Sequence, residues 1–555
     1  MAREPSRERR RGSDVTGRRL ASGVAGAAVL IAVLTVVSRA AGFGRTLVFT
    51  NTVGAGATGD AYTAANTVPN IVYEVVAGGA LASLVVPMLA GGIAAGDREL
   101  VRRTASALLG WALLVLTPLA VLLALLARPI ADLLLGGDPE KAQLAARFLL
   151  VFAPQVVLYG IGIVLTGVLQ AHRRFAGPAV APLLSSVVVA GAYLLFAGMD
   201  GSPEADELSR PAELVLSVGT TLGVAALALS LLVPLRRLGL GLRPSLRFPV
   251  GAAPRVRRLA VAGVLTLAGQ QLVAVVAILL ANDGAPVGTQ VVYLAGMTLF
   301  LLPWAALAVP LATSAYPGLT ERAEVGDEEG YRRALAPVQV LVVVAACVAA
   351  AGLVAIAGPM ARLFLSSAED ADQALALQRT IVGFAPGLPG YALVALLTRA
   401  LYARGLWKAP TVCVVGGWLT AALADVVLAG VLPAADRALA LGIGHSIGVT
   451  VAGAALFVVV ARLTGADGLR GTAHAGLAAL VAGVLGAGAG SWVARSLAGG
   501  PLPEGSLLGT VGTALAAGTV VLVVAGAVMM VTARRPLTEA VRGLRAGGPQ
   551  EVTSG

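Results

Sequence analysis

Residues 152–178 read FAPQVVLYGIGIVLTGVLQAHRRFAGP and align without gaps on residues 384–410, which read FAPGLPGYALVALLTRALYARGLWKAP. Both segments start with Phe-Ala-Pro, end with Pro and carry basic residues shortly before that Pro. Two explanations are open, internal duplication and chance similarity between apolar segments. The shared start, end and basic loop favour duplication. The repeat therefore predicts a chain built from two homologous halves.

The composition is that of an integral membrane protein. Of the 555 residues, 57% are hydrophobic and 13% are charged, and the mean hydropathy is +0.85. A helix that crosses a bilayer needs about 20 mostly apolar residues. By this measure the sequence predicts fourteen spans, at 21–38, 62–92, 105–127, 147–170, 179–198, 212–235, 259–281, 289–315, 336–358, 381–402, 411–432, 438–461, 473–494 and 508–532.

The two copies of the repeat fall on the fourth and tenth spans, so they are six helices apart. Because six is even, both copies cross the membrane in the same direction. This predicts an all-α membrane protein with two six-helix lobes related by a parallel pseudo-two-fold axis, plus two C-terminal helices. The expected parts are a basic tail at 1–20, an N-lobe at 21–237, a basic linker at 238–257, a C-lobe at 258–462, two helices at 463–535 and a tail at 536–555.

The distribution of charge predicts the orientation. With both termini on one side, thirty Lys and Arg residues fall on that side and eight in the loops of the other. Positively charged loops stay in the cytoplasm, so we expect a multi-pass plasma-membrane protein with both termini cytoplasmic. This topology also explains the net charge of +11. The basic tails lack interleaved aromatic residues and any nucleic-acid-binding motif, so we expect no nucleic-acid partner.

Motifs for catalysis or metal binding are missing from the sequence. No phosphate-binding loop, HExxH or GxSxG motif occurs in a suitable loop, and His172, His445 and His474 lack metal-ligand spacing. Cys347 and Cys413 both lie in predicted spans, which gives no support to a disulfide. We therefore expect neither an enzyme nor a resident cofactor or metal.

Ionisable residues are concentrated in residues 38–90, where Arg39, Arg45, Asp60 and Glu74 interrupt apolar sequence. A charge at the bilayer centre costs about 2.5–3.5 kcal/mol on insertion scales, and such groups usually face a bundle interior or a water-filled path. We expect Arg39 and Arg45 to face a cavity between the lobes. The alternative is that both extend to the outer interface and pair with Asp60.

The second span contains three residues that weaken a helix, Pro69, Gly78 and Gly79, and it also carries Glu74. Proline removes a backbone donor and glycine loosens a helix, so the pattern predicts a bend here. In a transporter, such a bend would help one lobe to gate the cavity.

The segment 38–89 resembles the lipid II flippases of the MurJ or MviN family, within the multidrug, oligosaccharidyl-lipid and polysaccharide exporter superfamily. The family pattern is present as SRAAGFGR, VGAGATGDAY, VPN, GGAL and VVPML. Later matches are AYPGLTERAEVGDEEGYRR and YARGLWKAP. The resemblance implies two six-helix lobes with two extra C-terminal helices. It also implies a flippase that moves a polyprenyl-pyrophosphate-linked saccharide-peptide to the outer leaflet by alternating access, in peptidoglycan biosynthesis.

The resemblance also implies site residues and partners. Arg39 and Arg45 match the family's two helix-one arginines and are expected to contact the headgroup, with Asp60 as the residue that orients it. Guanidinium groups suit this task because they form bidentate, charge-assisted hydrogen bonds with pyrophosphate. The implied partners are the lipid-linked substrate, membrane lipids and cell-wall synthesis proteins.

Some positions depart from the family pattern. Tyr73 and Glu74 stand where the family usually has an Arg-Arg pair, Gly78 stands where it has an acid, and no basic residue lies near Thr298. A less cationic cavity would bind pyrophosphate less tightly. The alternatives are therefore an exporter of another lipid-linked glycan or amphiphile, and a transport-inactive scaffold for wall-synthesis proteins.

Two intramembrane carboxylates, Glu74 and Asp425, are candidates for coupling transport to sodium or protons. Asp425 is a weak sodium candidate, because Ala421 one helical turn earlier offers no second oxygen and a sodium shell needs several. Structural pairing of both acids is the alternative.

A cytoplasmic cluster of Arg255, Arg257 and Arg258 is a candidate first contact for the phosphates of the cargo. The alternative is that these residues contribute only positive-inside charge.

Overall fold

The computed structural model describes residues 33–34, 36–75, 82–199, 208–247, 253–366, 371–465, 470–498 and 507–546. Within these ranges the chain is helical and contains no strand. The helices are α1 (36–52), α2 (Ala57–Val72), α3 (Ala82–Ala94), α4 (Arg98–Leu125), α5 (Ala127–Leu135), α6 (Pro139–Phe152), α7 (Gln155–Ala171), α8 (Ala176–Ala197), α9 (Arg210–Ser230), α10 (Leu232–Arg236), α11 (Ala253–Asn282), α12 (Thr289–Pro303), α13 (Val309–Glu324), α14 (Glu328–Phe364), α15 (Ala371–Phe384), α16 (Leu388–Ala403), α17 (Lys408–Val431), α18 (Arg437–Thr464), α19 (Arg470–Ala498), α20 (Leu507–Thr532) and α21 (Arg534–Ala546).

The described residues contain eleven helical segments that are long and apolar enough to cross a membrane. Each matches one of the fourteen predicted spans, and several extend further at one end. The predicted span 147–170, for example, is the end of a segment that runs over Pro139–Ala171 and includes both α6 and α7. The chain is therefore an all-α multi-pass membrane protein.

The other three predicted spans differ from single long helices. The span 21–38 lies mostly outside the described residues, and the span 62–92 is divided between α2 and α3. The third, 259–281, falls within α11, of which Leu267–Asn282 is described as an apolar segment. Because α11 begins at Ala253, the last residues of the predicted linker 238–257 are helical.

The two repeat copies have the same local structure. In the first, α6 ends at Phe152 and α7 starts at Gln155, so the chain breaks at the FAP sequence. In the second, α15 ends at Phe384 and a single 3-10 turn leads into α16. Pro causes each break, because it lacks the N–H that a continuous helix requires.

A left-handed residue follows the repeat helix in both copies. Arg173 has a φ of 58°, and Gly405, its counterpart at the offset of 232 residues, has a φ of 72°. Among the described residues, Arg173 is the one non-glycine residue with a positive φ. The turn that the repeat encodes therefore keeps its conformation even where the sequence lacks the glycine that favours it.

A second pair of equivalent features lies at the starts of α4 and α14. Asp97 and Asp327 each cap their helix by accepting a hydrogen bond from a backbone N–H in its first turn. Each follows a left-handed glycine, Gly96 or Gly326. Such caps stabilise a helix start by about 1 kcal/mol. These matching caps extend the structural repeat beyond the two quoted segments.

The helices form two groups, which we call the first half (α1 to α10) and the second half (α11 to α18). In the second half α17 packs closely on α18, with Gly417 of one helix against Gly448 of the other. Glycines allow two backbones to approach in this way within a membrane. The last two long helices, α19 and α20, pack on each other and on α14.

Candidate functional site

A cavity of about 620 Å³ lies between the two halves. It is lined by α1, α2, α7, α8 and α9 of the first half and by α12 of the second. Most of the polar lining residues come from the first half. Buried polar groups of this kind are unusual in a membrane bundle and mark a path for a polar substrate.

The α1 wall supplies the positive charge of the cavity. Arg39 and Arg45 both line it, and among its described lining residues they are the two that carry charge. Neither forms a salt bridge with a carboxylate in the described part of the chain. Ser38, beside Arg39, donates a hydrogen bond to the carbonyl of Ala179 at 2.7 Å and so ties α1 to α8. Both guanidinium groups are thus available to an anionic ligand.

Neutral polar side chains form the facing wall. Asn66 and Asn70 of α2 line the cavity, and Asn70 accepts a hydrogen bond of 2.9 Å from the Tyr159 hydroxyl. Neither Asn66 nor Asn70 was among the site residues predicted from the sequence. The signal was available, because each Asn lies in an otherwise apolar helix, where an amide needs a polar partner.

The hydroxyl groups of three cavity residues form a connected cluster deeper in the first half. The Tyr62 hydroxyl lies 2.8 Å from that of Tyr193 and 2.7 Å from that of Thr220. This cluster joins α2, α8 and α9, and it fixes the shape of the cavity floor through contacts between residues far apart in sequence.

The second half contributes an apolar wall with one hydroxyl. Thr298, Leu301, Leu302 and Ala305 line the cavity from α12 and the turn after it. The Thr298 hydroxyl donates to the carbonyl of Leu294, within its own helix. Thr298, near which the sequence lacks the basic residue of the family pattern, therefore does face the cavity.

Asp60 is placed differently from the expectation that it orients the headgroup. It lies in the first turn of α2, is 1% exposed and is not part of the described cavity lining. Its carboxylate accepts hydrogen bonds from the backbone N–H groups of Gly288, at 2.7 Å, and Val291, at 3.3 Å. Asp60 thus caps the start of α12, where the helix dipole favours a negative charge. Asp60 forms no salt bridge with Arg39 or Arg45 in the described part of the chain, and its expected headgroup contact stays a prediction.

Further contacts join the halves at the same end of the molecule. The Asn51 amide donates to the carbonyl of Leu363 at 3.1 Å, and the Ser366 hydroxyl donates to Asn51 at 2.6 Å. The Gln373 amide donates to the carbonyl of Ala55 at 2.9 Å. We call these contacts, with the Asp60 cap, the end seal. The end seal joins the two halves at the turn between α1 and α2.

The predicted bend of the second span lies at the opposite end of α2. Pro69 is inside α2, which ends at Val72, and residues 73–75 form a π-helical turn. Gly78 and Gly79 lie outside the described residues. A matching π-helical turn, Trp304–Ala308, follows Pro303 in the second half. Pi-helical turns of this kind often occur at functional sites.

Asp425 lies in the second half, away from the described cavity lining. It is fully buried on α17 against Gly444 of α18, and neither carboxylate oxygen has a hydrogen-bond partner within the described part of the chain. His445, the next residue on α18, is also buried and is surrounded by the rings of Phe300, Phe384 and Trp418. No group of three or more His, Cys, Asp or Glu side chains suited to a metal occurs in the ranges that the structure covers.

The expected arginine cluster falls at the start of α11. Arg255, Arg257 and Arg258 belong to its first turns. Their side chains lie outside the described part of the structure, so their role stays a prediction.

Known proteins resemble this chain along most of its length. The family model described as "Lipid II flippase MurJ" matches residues 49–501. The lipid II flippase MurJ of Burkholderia cenocepacia is 24% identical over 424 residues, which cover 74% of this chain and 79% of that protein. A probable lipid II flippase MurJ of Vibrio cholerae is 26% identical over 412 residues, covering 71% and 75%.

Solved structures have the same fold. A structure described as lipid II flippase MurJ in an inward closed conformation has a TM-score of 0.70 and 17% identity, and covers 90% of this chain and 99% of that one. An inward-facing multidrug transporter of the MATE family has a TM-score of 0.64 and 14% identity, covering 79% and 98%. Because the family model matches most of its length, the chain belongs to the lipid II flippase MurJ family.

Proposed function

We propose that this protein is a transporter that flips a lipid II-like precursor, a polyprenyl-pyrophosphate-linked saccharide, across the bacterial plasma membrane for peptidoglycan synthesis. The proposal depends on the cavity of this MurJ-family chain. Among the described residues that line the cavity, the two that carry charge are Arg39 and Arg45. In a low-dielectric cavity, guanidinium groups form strong bidentate hydrogen bonds with pyrophosphate. The lipid tail can stay in the bilayer while the headgroup crosses.

The end seal supports a direction for the cycle. If both termini are cytoplasmic, as the charge distribution predicts, the turn between α1 and α2 lies on the outer side. The end seal then closes the cavity to the outside, and the headgroup binds from the inner leaflet. Opening to the outer leaflet requires that the seal contacts at Asp60, Asn51 and Gln373 break.

Complementation tests this proposal. Cells depleted of their own lipid II flippase should grow when they express this chain, and Arg39→Ala or Arg45→Ala should abolish that rescue. Arg332→Ala is the matched control, because Arg332 is exposed and is not part of the described cavity lining. Failure of the wild-type chain at normal membrane levels would remove lipid II as the cargo. Rescue by both arginine variants would show that neither guanidinium is needed for headgroup binding.

We also propose that Asp425 couples transport to a proton. A buried carboxylate without a partner is costly when charged, so Asp425 gains from taking up a proton or a cation. A proton is the better candidate, because sodium needs several oxygen ligands and no group of three or more His, Cys, Asp or Glu side chains suited to a metal occurs among the described residues. Asp425→Asn should make transport in proteoliposomes independent of the proton gradient. Wild-type transport that stops in sodium-free buffer would instead identify sodium.

A second candidate function is export of another lipid-linked glycan or amphiphile, favoured by Thr298 and the apolar wall of α12. Purified protein that binds lipid II and no other carrier lipid would contradict it.

A role as a scaffold for cell-wall synthesis proteins makes a different prediction. Rescue should then survive Arg39→Ala and fail when residues 1–17 and 537–555 are deleted.

A further inference from the structure

One buried histidine of the second half has no hydrogen-bond partner. His445 lies in α18 and is 6% exposed. Neither of its ring nitrogens forms a hydrogen bond within the described part of the chain. An unpartnered polar group in the interior is costly, because it has lost its hydrogen bonds to water. An apolar side chain would fill this space without that cost, so packing alone does not explain a histidine here.

Four aromatic rings from four different helices surround the imidazole. The ring centroids of Phe300 in α12 and Phe384 in α15 each lie 5.4 Å from that of His445. The centroids of Trp418 in α17 and Tyr391 in α16 lie at 5.5 and 6.3 Å. We call these four rings the aromatic box. The aromatic box thus offers the imidazole π systems where other buried polar groups have hydrogen-bond partners.

An aromatic box of this kind stabilises a cation. The faces of Phe, Tyr and Trp attract a positive charge within about 6 Å of the ring centroid, and this attraction is stronger where water is excluded. Histidine is the side chain whose ordinary titration lies near neutral pH. Burial by itself disfavours a charge, and the rings offset that cost. When His445 takes up a proton on its unprotonated nitrogen, no bond within the protein has to break.

The aromatic core of the first half is built differently. Phe152 is the repeat counterpart of Phe384, and its ring lies 5.6 Å from that of Tyr62. The polar groups of that core are hydroxyls that bond to one another, because Tyr62 contacts both Tyr193 and Thr220. These hydroxyls are satisfied, whereas the imidazole of the second half is not. The unpartnered group is therefore specific to the second half.

Three other titratable groups face this region. Tyr391 belongs to the aromatic box, Tyr293 of α12 packs beside it at 5.5 Å from one of its rings, and Asp425 of α17 packs against the residue before His445. The described apolar part of α11, Leu267–Asn282, has no titratable side chain. Tyrosines are neutral at physiological pH, so Asp425 is the facing group that can carry charge.

Charged residues elsewhere on the helices around α18 are paired or distant along their helix. Arg379 of α15 pairs with Asp436 at 2.8 Å. Arg399 lies eight residues after Tyr391 on α16 and donates to a carbonyl of its own helix. Lys408 is the first residue of α17. None of these four charged groups has a described contact with the aromatic box.

A stack of rings joins the aromatic box to the cavity wall. Phe384, Phe300 and Tyr391 stack in this order, at 5.4 and 5.9 Å between centroids. Tyr391 also stacks on Trp304 at 4.6 Å. Trp304 starts the π-helical turn that follows α12, and Ala305 of that turn lines the cavity. A change of charge in the aromatic box therefore reaches the cavity wall through a continuous set of contacts.

We propose that His445 is a proton-binding residue of the transport cycle and that the aromatic box stabilises its imidazolium form. The inference rests on the proposed proton coupling and adds a residue to it, since Asp425 supplies one buried proton acceptor and His445 a second. The imidazole takes its proton from the aqueous phase on one side of the membrane and releases it to the other.

The small number of histidines makes a direct test possible. The chain has three, His172, His445 and His474, so ¹⁵N-histidine labelling of the full-length protein in nanodiscs gives three sets of imidazole signals. The variants His172→Gln and His474→Gln identify two of the sets and leave that of His445. A neutral imidazole gives two widely separated ¹⁵N signals, whereas an imidazolium gives two similar ones. We expect the His445 signals to change from the neutral to the imidazolium pattern between about pH 8 and pH 4. Signals that stay neutral over this range would overturn the proposal.

Substitutions test whether the aromatic box stabilises the charge. Phe300→Leu keeps an apolar side chain beside His445 but removes one π face, so the signals should change at a lower pH than in the wild type. Phe196→Leu is the control, because Phe196 is equally buried but lies in α8 of the first half. An unshifted titration in Phe300→Leu would contradict the role of the aromatic box. Asp425→Asn should retain the His445 titration, and its loss would assign the proton to the carboxylate instead.

Transport shows whether the cycle uses this proton. A proton gradient should accelerate lipid II flipping by wild-type proteoliposomes. His445→Phe keeps an aromatic ring but cannot be protonated, so it should lose this acceleration. His474→Gln should keep it, because His474 is exposed and outside the described cavity lining. Equal acceleration of His445→Phe and the wild type would overturn the role of His445 in the cycle. Absence of flipping by the wild type would contradict the proposed function, and the titration would still decide whether His445 binds a proton.

Discussion

Asp60 shows how one side chain can connect the two halves of a transporter. Its carboxylate belongs to α2, yet the N–H groups that it satisfies belong to Gly288 and Val291 at the start of α12. Helix starts leave N–H groups without intrahelical partners, and burial makes such groups costly. The cap is therefore an energetic link between the halves rather than a local feature of one helix.

Removing the charge of Asp60 should weaken that link. Asp60→Asn keeps the size of the side chain but places an amide N–H₂ against a backbone donor. The remaining amide oxygen can still accept one of the two bonds, so we expect a loss of about 1 kcal/mol in the free energy of unfolding, the net contribution of one hydrogen bond. Reversible unfolding in mixed micelles measures the change. Asp372→Asn is the control, because Asp372 is exposed in the first turn of α15; equal losses in both variants would contradict the role of the cap.

Arg173 allows a test of backbone strain in the repeated turn. A left-handed conformation costs a non-glycine residue about 1–2 kcal/mol, and its counterpart Gly405 avoids that cost. Arg173→Gly should therefore stabilise the protein by about 1 kcal/mol in the same unfolding measurement. Arg174→Gly should give no such gain, since Arg174 has no positive φ. A gain in Arg174→Gly equal to that in Arg173→Gly would show that strain is not the cause.

At the scale of elements, the turn before α12 brings the backbones of the two halves into close contact. Gly288 has a φ of 87°, and a Cβ added there would lie 1.9 Å from the carbonyl oxygen of Ala55. No side chain fits that space. The end seal therefore depends on a glycine in the second half and a backbone carbonyl in the first.

Substitutions at two glycines of this turn distinguish the effect of backbone strain from the effect of a steric clash between the halves. Gly288→Ala should disrupt the end seal, abolish complementation and lower the apparent melting temperature. Gly284 also has a positive φ, 63°, but a Cβ there meets nothing within 4 Å. Gly284→Ala thus carries similar strain without the clash and should retain rescue. Loss of rescue in both variants would mean that strain, and not contact between the halves, controls function.

The sequence predicted the elements better than their contacts. Hydropathy and the FAP repeat identified the membrane class, the two homologous halves and most spans, because burial in lipid imposes long apolar helices. The short helix α5 was missed, since it follows α4 after one residue and merges with the same apolar run. The sequence also singled out Arg39 and Arg45, whose charge is conspicuous in apolar surroundings.

The role of Asp60 could not be predicted in the same way. Its partner Gly288 is 228 residues away, and no local pattern in either segment encodes their contact. The aromatic pair Trp304–Tyr391 is similar, because its residues lie on different helices that meet only in the folded protein. Sequence patterns report the environment that a residue requires. They do not report which distant element supplies it.

At the scale of the whole molecule, the end seal and the cavity belong to one cycle. The polar contacts of the end seal are few: the Asp60 cap, the Asn51 contacts and the Gln373 bond. Apolar contacts, such as the ring pair of Phe43 and Phe364 at 5.3 Å between centroids, also join the halves. Individual hydrogen bonds contribute about 0.5–1.5 kcal/mol net, so a seal of this size can form and break during turnover.

Cross-linking the end seal should stop transport. Asn51 and Ser366 touch across the halves, so Asn51→Cys with Ser366→Cys can be joined by a short methanethiosulfonate linker, in a background with Cys347 and Cys413 replaced by Ala. We expect the linked protein to bind cargo but not to flip it in proteoliposomes, and a reductant to restore activity. Each single-cysteine variant, treated identically, should stay active. Full flipping by completely cross-linked protein would mean that the halves do not separate at this end, and would overturn the proposed cycle.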